Sequence, residues 1–376
     1  MSQIPFIPQT DPRAGYLRRK DEIDAAIARV LSGGQYILGS EVEAFEAEFA
    51  AWTGAGHGVS VANGTDGLAI GLSALGVRPG DRVITVSHTA VATVAAIEMI
   101  AAVPVLVDTD AFYGMDPSGL ERALDDCTRG GMRVGAVMPV HLFGQAADLM
   151  AICDLAHRAD VPVLEDCSQA HGAMFDGKQV GRFGRIAVYS FYPTKNLGGY
   201  GDGGMITADD EELAAECRAC RQYGWRERFI SANAGRNSRL DEIQAAILRV
   251  KLATLSEDNA RRQAIAAAYD QGLSAAPITL PRRRAGAVHA FHQYVIRAEG
   301  RDGLKTRLSE QGVGTGLHYP VPVHLQPAYA GRIALAGGEL PDTETSAREI
   351  LSLPMYPELT EESVARVVRA ICSFAR

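Results

Sequence analysis

No run of about 18 apolar residues, the length a membrane-crossing helix needs, occurs in this 376-residue chain. The opening MSQIPFIPQT lacks the apolar core of a signal peptide. The six cysteines (127, 153, 167, 217, 220 and 372) are scattered, which argues against a disulfide framework and for a reduced, cytoplasmic protein. Cys217 and Cys220 form a CxxC, but it lies in the helical pattern DEELAAECRACRQYG with no second pair, so no zinc or redox site is expected there, and no metal site elsewhere. An excess of basic residues is also missing. With 37 Lys and Arg interspersed among 45 Asp and Glu, the net charge is −8, which argues against a nucleic-acid partner. The glycines at 198–204 lack the strand-to-helix setting of a GxGxxG turn, and no lysine follows a P-loop pattern, so a nicotinamide dehydrogenase is a poor reading.

What is present is an ordinary globular composition, 47% hydrophobic and 22% charged, long enough for one large domain and a smaller one. Periodicity predicts a helix over 17–34, closed by Gly33-Gly34, and a second from Ser40 with a Ser40/Glu43 capping box and a stripe of Phe45, Phe49 and Trp52. A strand then runs into Asn63-Gly64-Thr65, which places free amides at a helix N-terminus, a ready anion site. Strands at 82–87, 103–108, 134–142 and 161–167 alternate with helices at 89–102, from Pro117, and at 147–159. The alternation implies a mostly parallel sheet covered on both faces, with ligands at the carboxyl ends of its strands. His88, Asp166 and Gln169 fall there. Beyond Met205 the pattern turns helical, with a long stretch from 239 to 272. PRRR (281–284) reads as a solvated loop. A second alternating region follows, with 289–298, a helix at 302–311, a strand at 313–319 and two closing helices. The expected division is 1–255 and 256–376.

The stretch YSFYPTKNLGGYGDGGM, 189–205, sets Lys195 ahead of five glycines in seven residues (198–204). Such a backbone can turn sharply and approach a planar cofactor closely, so Lys195 reads as a Schiff-base lysine.

These residues, with ANGTDGL (62–68), LEDCSQAHGA (164–173) and GRNSRLDEIQAAIL (235–248), closely resemble the DegT/StrS family of sugar aminotransferases. The resemblance spans nearly the whole chain. It implies the aspartate-aminotransferase-like, type I fold of pyridoxal phosphate (PLP) enzymes: a mostly parallel central sheet sandwiched by helices, plus a smaller C-terminal α+β domain. It implies PLP held on Lys195, Asp166 facing the pyridine nitrogen, Gln169 beside the ring hydroxyl and His88 stacked on the ring. Gly64, Thr65 and Ser190 would hold the phosphate, joined by Asn237 from a neighbouring subunit, which makes the enzyme a homodimer with shared active sites. Glu165, one residue from Asp166, should point to the opposite face, and His171 reads as structural.

The resemblance further implies amination of a nucleotide-linked ketosugar by L-glutamate, with 2-oxoglutarate released, in a ping-pong sequence. GVGTGLHYPVPVHLQPAY (312–329) and QYGWRERF (222–229) resemble enzymes acting at C3 of dTDP-3-keto-6-deoxyhexoses. His318, Tyr319, His324, Tyr192, Tyr223 and Arg228 are therefore candidate sugar contacts. A UDP-3-keto uronic acid or a 4-keto sugar is the alternative substrate, and a non-catalytic PLP-binding protein the alternative class. Related PLP-dependent sugar dehydrases replace the lysine with histidine, which Lys195 argues against. Phe143 stands where many relatives have a tyrosine and lacks the hydroxyl a sugar could use.

Overall fold

The structure is a computed structural model describing residues 5–373. Seven short strands rich in valine and isoleucine build the main sheet: β1 His57–Val61, β2 Arg82–Val86, β3 Val103–Val107, β4 Val134–Val137, β5 Leu164–Asp166, β6 Ile186–Ser190 and β7 Gly204–Ala208. Ladders pair β1 with β7, β7 with β6, and β6 with β5. Parallel ladders pair β4 with β2 and β2 with β3. Single parallel bridges, Val137 to Val163 and Val140 to Asp166, join the two halves. The order is thus β1-β7-β6-β5-β4-β2-β3, with β7 antiparallel to its neighbours.

Helices cover both faces of this sheet, which is why its strands read as continuous apolar runs. The helix Gly64–Ala74 lies close on it because Gly67 and Gly71, one turn apart, carry no side chains. A Cβ at these positions would come within 2.7 Å of Val188 and 2.9 Å of Leu164. A second core forms around the antiparallel pair Tyr294–Arg297 and Ile350–Leu353, with helices Leu255–Leu273, Arg301–Glu310 and Glu361–Cys372. The chain passes back and forth between the two cores. Ile7 packs in the second and bonds to Gly312 and Gly314, whereas Ala334–Leu335 returns to the edge of β3.

Several sequence expectations need correction. The helix 17–34 is two helices, Pro12–Arg18 and Lys20–Gly33, with Gly34 left-handed at the end. The Ser40/Glu43 capping box does not form. Gly39 occupies the cap position, and the carboxylate of Glu242, two hundred residues away in sequence, accepts from the amides of Gly39 (2.7 Å), Glu41 (3.0 Å) and Val42 (3.0 Å). A buried carboxylate satisfies three orphan donors and opposes the helix dipole, which a serine hydroxyl cannot match. The helical stretch 239–272 breaks into Glu242–Leu252 and Leu255–Leu273, and Ser238 caps neither, its hydroxyl accepting instead from Ala62 N. Residues 313–319 make only single bridges, Ile7 to Val313 and Gly316 to Ser352, and form no strand. After β7 and the helix Glu211–Cys220, a two-stranded ribbon, Trp225–Glu227 with Ile230–Ser231, replaces expected helix. PRRR is not simply solvated: Arg283 pairs with Asp270, and Arg284 is held between Asp110 and Asp148. None of the described helices is long and apolar enough to cross a membrane.

Glu242→Ala leaves three amides of a buried helix start without their acceptor, a loss of about 2 to 4 kcal/mol. Chemical denaturation should show that loss, and Glu242→Gln, which keeps one acceptor oxygen, should lose less. Equal stability of all three proteins would refute the long-range cap.

Candidate active site

The carboxyl ends of β1, β5 and β6 open on a cavity of about 220 Å³, whose wall includes Gly64, Thr65, Thr93, Asp166, Gln169, Ser190 and Lys195. One end is a helix N-terminus. Asn63 Oδ1 accepts from Asp66 N at 2.8 Å, while the amides of Gly64 and Thr65 precede the first helical bond and remain available to an anion. Close approach is built in here. A Cβ on Gly64 would lie 2.9 Å from that of Ser190, and one on Gly204 would lie 2.6 Å from the carbonyl carbon of Asn63. Glycine at both places lets β6 and β7 end against this turn.

Asp166 closes β5. Its Oδ2 accepts from Thr93 Oγ1 (3.0 Å) and its Oδ1 from Ser168 N (3.1 Å). Since Thr93 spends its proton on Asp166, its contact with Thr89 Oγ1 (2.9 Å) is one in which Thr89 donates. Glu165 points away, as alternation requires, and is fully buried. Burial favours its acid form, but hydrogen bonds from His141 and the amides of Gly184 and Gly181 outweigh that and hold it below the ordinary range. His141 Nδ1 accepts from Ala147 N (3.1 Å), so Nε2 donates to Glu165 (3.0 Å). Cys167 lies near this pair, but both nitrogens of His141 are engaged, and the cluster is a buried hydrogen-bonded pair rather than a metal centre.

Lys195 lies in the turn after β6, half-buried, its amide donating to Tyr192 O at 2.8 Å. Burial pulls its amine down to about 8, while the charge of Asp166 pulls the other way. Gln169 Oε1 accepts from Phe143 N (2.8 Å) and Nε2 donates to Tyr319 Oη (3.1 Å). Because the Phe143 amide can only donate, the Gln169 side chain is fixed with its NH₂ as the free edge. His88 is fully buried, edge-on to Tyr113 and Phe143, with Nε2 3.2 Å from both His318 O and Tyr319 N and its Nδ1 unpartnered among the described residues. Burial lowers it to about 4. His171 is also enclosed, against Tyr189 and Phe191, and burial lowers it to about 3.

Of the candidate sugar contacts, Tyr192 lines the cavity. Tyr319 reaches its edge through Gln169, and His318 is tied to Ser352 Oγ at 2.8 Å. His324 is turned into the protein, with Nδ1 2.6 Å from Ser87 Oγ and Nε2 3.4 Å from Glu344, so it supports the segment rather than facing the cavity. Tyr223, Arg228 and Asn237 do not line this chain's cavity. Arg228 sits at the exposed tip of the ribbon, where Phe229 and Ile230 are 72% and 60% accessible, and Tyr223 and Asn237 sit at its base, where Gln222 bridges to Asn237. Thr93, which orients Asp166, was not visible in the sequence: it is one threonine inside an alanine-rich helix, and only folding brings it across to β5.

The donor set suits pyridoxal phosphate in kind. Free helix amides and a serine offer an anion site, Asp166 a carboxylate, Gln169 a donor edge and Lys195 an amine of lowered basicity. The family model described as DegT/DnrJ/EryC1/StrS aminotransferase matches residues 18–372. The chain is 44% identical, over its full length and 97% of the relative, to a dTDP-3-amino-3,4,6-trideoxy-alpha-D-glucose transaminase of Streptomyces venezuelae. It is 42% identical, over 98% of its length and 99% of the relative, to a UDP-2-acetamido-2-deoxy-3-oxo-D-glucuronate aminotransferase of Pseudomonas aeruginosa. The solved structure of S. venezuelae DesV, in complex with a ketimine intermediate, superposes with a TM-score of 0.94 at 44% identity, covering 99% of both chains.

Two pH effects follow. In the cofactor-free chain, only the neutral amine of Lys195 can react with an aldehyde, so its rate of reaction should rise with pH through about 8. Asp166→Asn removes a charge that favours the ammonium, and the midpoint should move lower. A midpoint near the ordinary lysine value would contradict a buried amine. Separately, His88, His171 and His289 lie near 4, 3 and 3 in the folded chain. Between those values and about 6.5 the unfolded chain binds more protons, so stability falls as the solution is acidified. Each histidine contributes up to about 2 kcal/mol between pH 6.5 and 5. Melting temperatures of the cofactor-free chain at pH 7 and pH 5 check this.

Proposed function

The chain belongs to the DegT/DnrJ/EryC1/StrS aminotransferase family, and from that premise we propose that it moves an amino group from L-glutamate to C3 of a dTDP-linked 3-keto-6-deoxyhexose. The observation that carries this reading is the meeting, in one cavity, of a lysine held near pH 8, a buried carboxylate and a free helix N-terminus.

Pyridoxal phosphate, when bound, supplies an electron-withdrawing ring and an aldehyde carbon that takes up and returns the amino group. Gly64, Thr65 and Ser190 would hold its phosphate, and Gln169 would donate to its ring oxygen. Asp166, oriented by Thr93 and by the Ser168 amide, would keep a proton on the pyridine nitrogen, and His88, fully buried behind the cavity wall, would back the ring. Lys195 Nζ, once free, moves the proton at the reacting carbon of glutamate and then of the sugar. Its lowered basicity matters because an ammonium cannot accept that proton.

His318, Tyr319 and Tyr192 border the sugar. Tyr223, Arg228 and Asn237 reach the site of a second copy, so the working unit is a homodimer, placed in the cytoplasm. The exposed apolar tip of the ribbon supports that arrangement.

A second reading, a UDP-linked 3-keto uronic acid as substrate, draws on the likeness to the P. aeruginosa enzyme and on Arg226 and Arg228 on the ribbon. Against it, the cavity wall of this chain carries no arginine for an extra carboxylate.

The test begins with release of 2-oxoglutarate from L-glutamate in a single turnover, followed by a panel of nucleotide ketosugars, with the aminated product read by mass spectrometry. We expect turnover with the dTDP-3-keto sugar, and a loss of about a thousandfold or more in Lys195→Ala. Amination of the UDP uronate alone would replace the substrate reading, and failure of glutamate to release 2-oxoglutarate would sink the transfer itself.

A further inference from the structure

Behind the lysine turn runs a buried chain of side-chain amides and one imidazole that the roles above do not use. Asn196, next to Lys195, turns into the protein, where its Nδ2 donates to Asn259 Oδ1 (2.9 Å) and to Ala290 O (2.9 Å). The carbonyl of Ala290 can only accept, so the orientation of this amide is settled, and Asn196 Oδ1 faces His292 Nδ1 at 3.3 Å. An amide oxygen carries no proton, so His292 Nδ1 donates and its Nε2 is left to accept from Gln293 Nε2 (3.4 Å). Gln293 Oε1 accepts in turn from Gln9 Nε2 (2.6 Å). At the other end, Asn259 Nδ2 donates to the carbonyl of His171 (2.8 Å).

Every bond therefore points the same way, from Gln9 through Gln293, His292, Asn196 and Asn259 to the backbone beyond Gln169. Asn196, Asn259, His292 and Gln293 are each more than nine-tenths buried. A chain of this kind strengthens along its length and has one proton arrangement. Protonating His292 would set an N–H against the Gln293 donor. The groups whose charges oppose that protonation are Lys195, Arg262, His318 and His171.

We propose that this directional chain is the device that fixes the reactive amine: Asn196, backed by His292 and Asn259, is the positioning residue for Lys195. It ties the lysine turn to the helix Leu255–Leu273, to the 289–293 segment and to the loop that carries Gln169. The inference rests on reading Lys195 as the reactive amine. Its physical motive is that a displacement of roughly 1 Å at a catalytic group can cost up to about a hundredfold in rate; the Tyr192 carbonyl and Gln244 hold the backbone of the segment, and Asn196 is the side chain beside Lys195 that anchors the turn to the protein behind it.

The test compares wild type with Asn196→Ala and His292→Phe, the second keeping a ring in the same space while losing both nitrogens. In the cofactor-free chain, Lys195 is trapped with formaldehyde and cyanoborohydride between pH 6 and 11, and its peptide is quantified by mass spectrometry. Loosening the turn admits water, so both variants should shift the labelling midpoint upward by about one pH unit. In the loaded enzyme, kcat should fall by about tenfold or more with KM for glutamate little changed. Should Asn196→Ala fail to fold, His292→Phe carries the comparison. A lower melting temperature with midpoint and kcat both at wild-type values would make the chain a fold-stabilising feature only, and the proposal would fall. Amine transfer by Lys195→Ala at the wild-type rate would show that the lysine assignment itself fails, an outcome distinct from wild-type midpoint and kcat in the Asn196 and His292 variants.

Discussion

Desolvation of one amine governs this site. A lysine surrounded by water stays protonated to about pH 10, useless for removing a proton from carbon. Burial brings Lys195 to about 8, and Asp166, whose charge reaches it, limits the fall. The same dry surroundings act on the neighbouring imidazoles. His88, His171, His292 and His318 are all pushed below the ordinary range by burial, and the charge of Lys195 adds to that push at His171, His292 and His318. They serve as neutral hydrogen-bonding and packing groups around one titratable amine.

Keeping such a site dry requires that its polar neighbours be satisfied from elsewhere in the chain. Asp166 takes a threonine from a different helix, Gln169 an amide from the turn after β4, and Glu165 three amides from the loop before β6. Glu242 closes the start of the helix Ser40–Thr53, and Gln244, two residues on, accepts from Tyr200 N within the glycine stretch at 2.8 Å. Helix Glu242–Leu252 thus braces both the N-terminal helices and the lysine segment. An unpaired polar group in such surroundings is expensive, so these distant partners are a condition of the site rather than ornament.

The face toward substrate is arranged differently. The cavity wall belonging to this chain carries no arginine, while Arg226 and Arg228 stand out on a ribbon whose base, carrying Tyr223 and Asn237, is pinned by Arg236 to Asp66 (3.6 Å) and by Ser238 to Ala62. The ribbon springs from beside the Asn63–Thr65 turn and leads outward.

The sequence alone was enough for the parallel sheet, the lysine, the carboxylate at the end of β5 and the glycine turn at β1, because these depend on local signals: apolar runs, strand ends and glycine spacing. The same local reading missed the Glu242 cap, the ribbon, the irregular course of 313–319, the inward turn of His324 and the threonine that orients Asp166. The ribbon is a local hairpin; in the others the deciding partner lies far along the chain. A serine beside a glutamate looks like a capping box until a buried carboxylate from another helix outcompetes it, and His324 looks like a sugar contact until Ser87 and Glu344 take both its nitrogens. Sequence determined which candidate groups lie at the strand ends and the glycine-rich turn; tertiary structure decided their charge state, rotamer and partners, since desolvation and hydrogen bonding are set by what folds against a residue and not by what precedes it.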